Sequence, residues 1–187
     1  MTHSKAELSG TRDRLVQTAA RLFRQHGYDG VGLAQILAES ATPKGSLYHH
    51  FPEGKSDLAR AAALWASNGM LAIIDDAFTA APDARAGIAA LCRKLARLFE
   101  QQGAMGGCPV TTLLQDTPGN TSQAELAQDI LNRWSRAVAA NLIRLGEHPE
   151  DAHRLSERLM VVLQGAWVMA RVQRSAQVLR RVPDLIT

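Results

Sequence analysis

The chain has 187 residues, enough for one domain or two small ones around a sizeable core and too few for a large multidomain enzyme. With 46% hydrophobic and 21% charged residues it reads as a folded globular protein, and its net charge of +3 permits a nucleic-acid partner without requiring one. The longest nearly apolar stretch, residues 159–170, holds Gln164 and falls short of the roughly 18 apolar residues of a membrane span, while Cys92 and Cys108 form no Cys-x-x-Cys pair, which excludes disulfide and zinc-ribbon scaffolds.

Met1 to Arg14 mix acidic and basic side chains with no apolar run behind them, so no secretory signal is expected and a cytoplasmic location is the default. From Thr11, the residues Leu15, Ala19, Leu22 and Phe23 recur at helical spacing until Gly27 stops the run. A helix of about two turns follows on Leu33, Ile36 and Leu37, with Gly32 as its N-cap. Thr42 followed by Pro43 predicts a third short helix to about Phe51, with Thr42 as cap and Pro43 at the first helical position. From Lys55 to about Phe78 the chain reads as one long helix, with Leu58, Ala62, Trp65, Gly69 and Ile73 on one side and further apolar groups on others, a pattern expected of a helix bridging two cores.

Pro82 and Asp83 open a fifth helix with a stripe of Ile88, Leu91, Cys92, Leu95, Leu98 and Phe99, ending near Gly103. Residues 103–119 are dense in Gly and Pro around a short apolar piece, Val110 to Leu114, which reads as loop, short helix, loop. Ser122 and Glu125 have the form of a capping box before a helix running to Gly146, and Pro149 opens another to about Arg174 whose second half is apolar on all sides. A last short helix carries Val178, Leu179, Val182 and Leu185. No segment alternates as a strand does. The expected fold is all-α, with about nine helices.

Two short helices joined by about four residues, the second opening on small polar and basic groups, have the layout of a helix-turn-helix DNA reader. The end of such a helix that enters the major groove needs short side chains for close approach and one long donor for base edges. Thr42, Pro43, Gly45 and Ser46 meet the first need and Lys44 the second. Tyr48 and His49 are placed to donate to phosphates, and Lys55 opens the next helix, where a phosphate is also favoured by free N–H groups. Leu47 and Phe51 would anchor the reading helix. Adjacent on a helix, His49 and His50 face about 100° apart with no third ligand at a metal-like spacing, so no metal is expected.

The run KGSLYHHF, followed by a lysine and a long helix, resembles the TetR family of bacterial transcription regulators, and TRDRLVQTAARLFRQHGYDG is similar to that family's opening helix and Gly-aromatic turn. The resemblance is specific over residues 11–60 and architectural beyond them. The extra residue in FPEGKSDL, and GGCPV further on, resemble the LmrA/YxaF-like branch, whose members often control drug-efflux genes. Two positions depart from the family pattern. Gly32 stands where a Thr usually caps the second helix and touches phosphate, and Ala41-Thr42-Pro43 replaces the common Gly-Val-Ser turn. The resemblance implies a DNA-binding domain over residues 1–54 and an effector-binding and dimerisation domain over residues 55–187.

The residues support that division. No G-x-S-x-G, H-E-x-x-H, P-loop or dinucleotide fingerprint is present, so neither enzymatic activity nor a cofactor is expected. Phe99, Leu114, Trp134 and Trp167, with the neutral polar Asn141 and Gln164, are the candidate lining of a pocket for a small lipophilic or aromatic effector. Val161, Val168 and Val172, joined by Val178, Leu179 and Val182, are the candidate homodimer interface, because they exceed what one subunit's core can cover. The expected partners are thus a pseudo-palindromic double-stranded DNA operator, a small effector and a second copy of the chain, with no membrane. An all-α enzyme or carrier that does not bind DNA is the alternative, and a constitutive DNA binder without effector a further one.

Overall fold

The computed structural model describes residues 5–103, 108 and 121–186, with the side chains of residues 5–9 and 121 outside the description. Among the described residues there are eight helices and no strand: α1 (Lys5–His26), α2 (Leu33–Glu39), α3 (Lys44–His50), α4 (Lys55–Thr79), α5 (Ala84–Gln101), α6 (Thr121–Arg144), α7 (Pro149–Gln173) and α8 (Gln177–Ile186). The expected short helix at Val110 to Leu114 lies outside the described residues. The chain divides into two compact units, residues 1–67 with 109–127 and residues 68–108 with 128–187.

The first unit is built on α1. Its Leu15, Ala19, Leu22 and Phe23 are buried, and α2 and α3 both pack against it. Gly27, at φ +76°, ends the helix in the left-handed region and donates its N–H to the Phe23 carbonyl at 2.8 Å. Helix α2 starts behind Gly32, in extended backbone without a side-chain cap, and sends Ile36 into the core.

Helix α3 begins one residue later than Thr42-Pro43 predicts. Pro43 itself is the N-cap, at φ −63° and ψ 146°, and its carbonyl accepts from Ser46 N–H at 3.0 Å. Thr42 does not cap α3. Its N–H donates to the Leu37 carbonyl at 3.0 Å and its hydroxyl to the Ser40 carbonyl at 3.2 Å, so the residue closes the end of α2. Helix α4 opens at Gly54, φ +65°, whose carbonyl accepts from Leu58 N–H, while the Asp57 carboxylate reaches back to the Glu53 N–H at 2.9 Å.

The buried face of α4 takes in only part of the side that the sequence names first. Leu58, Ala62, Ala63, Ser67, Met70, Ile74 and Phe78 are buried, whereas Trp65 is 48% exposed, Gly69 is exposed and Ile73 half-buried. Alanines on every side of this helix make the apolar pattern indifferent to rotation, so it could not fix which face turns inward.

In the second unit, α5 is capped by Asp83, whose carboxylate accepts from Ala86 N–H at 2.8 Å, and buries Ile88, Leu91, Cys92, Leu95 and Phe99 as its stripe predicts. Ser122 is the second residue of α6, which begins at Thr121, and so is not its cap. Gly146, at φ +101°, closes that helix, with Glu147 N–H returning to the Leu142 carbonyl at 3.1 Å. Pro149 starts α7 at the first helical turn, where its missing N–H costs nothing. Helix α8 packs on α5 and α7. The second half of α7 is not buried all round in the single chain: Val161, Val168, Met169 and Val172 are exposed.

Candidate functional site

The candidate reading head is the outer face of α3. Leu47 is its buried residue and Phe51 its C-cap, also buried, so the helix is seated as expected by one side. The opposite side presents Lys44, Gly45, Tyr48 and His49, all exposed, with Pro43 exposed before them and Ser46 half-buried. Positions i, i+1, i+4 and i+5 of a helix share a face. A Cβ built on Gly45 would meet nothing within 4 Å, so packing within the chain does not require glycine there. What its absence of side chain provides is a bare stretch of backbone at the mouth of the helix. Gly32 is also exposed. Thr42 is a correction: it is 5% exposed, and a buried hydroxyl already donating to Ser40 cannot reach DNA without unfolding the turn.

The turn between α2 and α3 holds Ala41 at φ +49°, a left-handed conformation that an L side chain resists. Arg21 on α1 pairs with Glu39 at the end of α2 at 2.5 Å, and Gln35 donates to the same carboxylate at 3.0 Å. Those two hydrogen bonds, Arg21 first, hold the Glu39 carboxyl below its ordinary pKa. His50, half-buried with its Nε2 atom lacking a partner, has its pKa lowered by burial and then by the charges of His49 and Arg12, which favours neutral imidazole. Lys55 is half-buried, and its ammonium lies 4.2 Å from the centre of the Tyr28 ring. Burial, then Asp29, raises the Tyr28 phenol, so the ring stays neutral.

In the second unit, Trp134 on α6 and Gln164 and Trp167 on α7 meet around one cavity, as three of the pocket residues were expected to do. Met70 and Ile74 of α4 and Cys108 complete much of its wall; sequence reasoning did not assign the first two to the pocket, because it read α4 as apolar on several sides and singled out none of them for a cavity. The cavity encloses about 20 Å³, room for about one water molecule. Phe99 does not line it. Fully buried, it packs edge-on against Trp167 with ring centres 6.0 Å apart and so backs the wall.

Asn141 is a second correction. Its amide donates to the Asp75 carboxylate at 3.3 Å and to the Ala137 carbonyl at 3.0 Å, and its oxygen accepts from Arg144 at 3.2 Å, tying α6 to α4 away from the cavity. Leu114 lies outside the described residues. A separate open crevice of about 170 Å³, with Arg85 and Glu147 among its lining, lies where no pocket was expected.

Of the expected interface residues, Val161, Val168 and Val172 are 73%, 62% and 77% exposed, and Val178 is half-buried. Leu179 and Val182 are corrected: both are fully buried where α8 packs on its own chain, so they have no surface left for a partner. Among the described residues no group of His, Cys, Asp and Glu could hold a metal ion, and no helix is long and apolar enough to cross a membrane.

The family described as bacterial regulatory proteins, tetR family, matches residues 15–70. The family described as transcriptional regulator LmrA/YxaF-like, C-terminal domain, matches residues 84–184, more than half the chain. The chain belongs to the TetR family, in its LmrA/YxaF-like branch. It is similar to the regulator YxaF of Bacillus subtilis (strain 168), 28% identical over 94% of this chain and 93% of that one. The regulator LmrA of the same organism is 29% identical over 94% of this chain and 96% of its own. The fold is shared with the crystal structure of regulatory protein TetR from Rhodobacter sphaeroides, with a TM-score of 0.81 and 24% identity over 93% and 95% of the two chains. A TetR-family chain is a DNA-binding transcriptional regulator and not an enzyme.

Proposed function

We propose that this regulator is a homodimeric repressor that holds a pseudo-palindromic operator through residues 1–54 and leaves it when a small lipophilic or aromatic effector binds within residues 55–187. The observation that carries the reading is the one-sided seating of α3: Leu47 buried, Lys44, Gly45, Tyr48 and His49 exposed together. Lys44 reads a base edge, Tyr48, His49 and Lys55 hold phosphates, and Pro43, Gly45, Ser46 and Gly32 let the backbone come close. Such a protein acts where chromosomal DNA is, in the cytoplasm.

The cavity between Trp134, Gln164 and Trp167 supports a neutral, lipophilic ligand, since its wall is apolar apart from Gln164 and Cys108. Its present size demands that the ligand open it. Met70 and Met160 line it, and methionine is the side chain best able to repack around an irregular guest. Met70 and Ile74 belong to the same helix as Lys55, so displacing them acts on the helix that begins at a phosphate contact. The exposed valines of α7, spaced 7 and 4 apart, support an isologous pairing of that helix with its copy. The test is a gel shift on the DNA upstream of the protein's own gene, repeated with lipophilic aromatics that quench tryptophan fluorescence. Specific retardation released by such a compound supports the reading; weak binding erased by moderate salt and indifferent to every compound opposes it.

A further inference from the structure

Three cations of the first unit rest on aromatic rings. Lys55 lies 4.2 Å from the centre of Tyr28, Arg12 5.5 Å from Phe51 and Lys44 5.9 Å from Tyr48. Four other cations among the described residues meet carboxylates instead: Arg21 with Glu39, Lys94 with Asp76, Arg154 with Asp151 and Arg180 with Glu100. Among the described residues none of Arg12, Lys44 and Lys55 takes part in such an ion pair. Two acidic residues lie two positions from Lys55 in sequence: Glu53, which is exposed, and Asp57, whose carboxylate accepts from the Glu53 N–H.

The difference matters for a charge that must meet DNA. A carboxylate holds a cation by neutralising it, and a phosphate then has to compete with that partner. A ring face attracts the cation through its quadrupole, narrows its range of positions, and leaves both its charge and its hydrogen-bond donors available to a second partner. Two of the three cations, Lys44 and Lys55, are those already assigned to DNA. Arg12, on α1, is exposed and is held in the same manner against Phe51, the residue that ends the reading helix.

We infer that Arg12 is a further phosphate-binding residue of the DNA face, and that Tyr28 is a positioning residue that holds Lys55 at its phosphate without neutralising it. The second half of this inference rests on the reading of Lys55 as a phosphate contact. Tyr28 touches no DNA in this account; it acts through Lys55. Its ring also meets Phe23 at 5.5 Å between centres, which fixes the platform on the core of α1.

The test is fluorescence anisotropy of the full-length protein with a mixed-sequence DNA duplex of about 30 base pairs, long enough for two reading heads about one turn apart, titrated at several salt concentrations. Lys55→Ala and Arg12→Gln are each expected to lower the slope of log affinity against log salt by about one per reading head. Tyr28→Leu is expected to weaken binding about two- to fivefold per head, and Tyr28→Phe, which keeps the ring, to bind as the parent does. In the Lys55→Ala background, Tyr28→Leu is expected to have no further effect. If Tyr28→Leu weakens both backgrounds equally, its role is structural and the positioning role is overturned; the same follows if it weakens neither. An unchanged salt slope for Arg12→Gln overturns the assignment of Arg12. An unchanged slope for Lys55→Ala overturns the reading of Lys55 itself, and the role of Tyr28 with it, whatever Arg12 does.

Discussion

Gly87 lies against the ring of Phe78: a Cβ built on it would fall far inside van der Waals contact of the ring's Cδ1 and Cε1 atoms. Phe78, near the end of α4, fits there because Gly87, in the first turn of α5, has no side chain. The structure therefore expects Gly87→Ala to cost about 1 to 3 kcal/mol, the usual penalty for forcing a methyl into a filled core. Urea unfolding would measure it. Adding Phe78→Leu, which vacates the contested space, should recover part of the loss relative to Phe78→Leu alone, and strict additivity would show that the contact is looser than described.

Ala41 is the converse case, a side chain where glycine would be relaxed. At φ +49° it occupies the left-handed region in the turn between α2 and α3. Ala41→Gly should stabilise the protein by about 0.5 to 1 kcal/mol, the strain relieved less the extra freedom that glycine gives the unfolded chain. Thermal unfolding at fixed protein concentration checks the sign.

Much of the reading head was legible in the sequence because its signals are local. Gly27 stops α1, Gly32 starts α2, and Leu47 and Phe51 fall on the side of α3 opposite Lys44. Thr42 misled because both a Thr cap with Pro at the first position and a Pro cap are compatible with the same dipeptide, and the choice was made by the Leu37 and Ser40 carbonyls. The pocket was half legible. Trp134, Gln164 and Trp167 do converge, but Asn141 found Asp75, 66 residues away, and nothing in a local pattern announces such a partner. Leu179 and Val182 differ from Val178 only by the rotation of a short helix, which ten residues of sequence do not settle.

Lys44 and Lys55 should fail differently. Lys44→Ala is expected to cost about 1 to 3 kcal/mol on the operator and relax preference at one position per half-site, whereas Lys55→Ala weakens operator and random DNA alike. Equal losses on both DNAs for Lys44→Ala would remove it from base reading.

In the cavity, Trp134→Ala and Gln164→Ala should each reduce the potency of any ligand that releases DNA. Asn141→Ala should leave that potency near the parent value, because the residue faces Asp75. If the pattern is reversed, the effector site lies outside the tryptophan cavity.

Burial pushes the Cys92 thiol up to about 12, from an ordinary 9.0, with Arg93 opposing the shift weakly. The native state then keeps its proton through a range in which the unfolded chain loses it. Stability contributed by this group is present below about pH 9 and falls as pH rises from there towards 12. Native protein at pH 8 should resist alkylation at Cys92 until it is unfolded; rapid labelling without unfolding would mean that the α5 stripe opens.

The central claim is that the exposed face of α3, presented twice by a dimer joined through α7, reads a two-fold DNA site. The most direct measurement is selection of duplexes from a random library by the parent protein and by Val168→Glu, followed by sequencing of what is retained. The account predicts that the parent enriches a pseudo-palindrome with half-sites about one helical turn apart or slightly more, roughly 34 to 36 Å at the least. It predicts that Val168→Glu, monomeric by light scattering, enriches nothing. A parent that enriches no sequence, or a monomeric variant that retains the same palindrome, would contradict it.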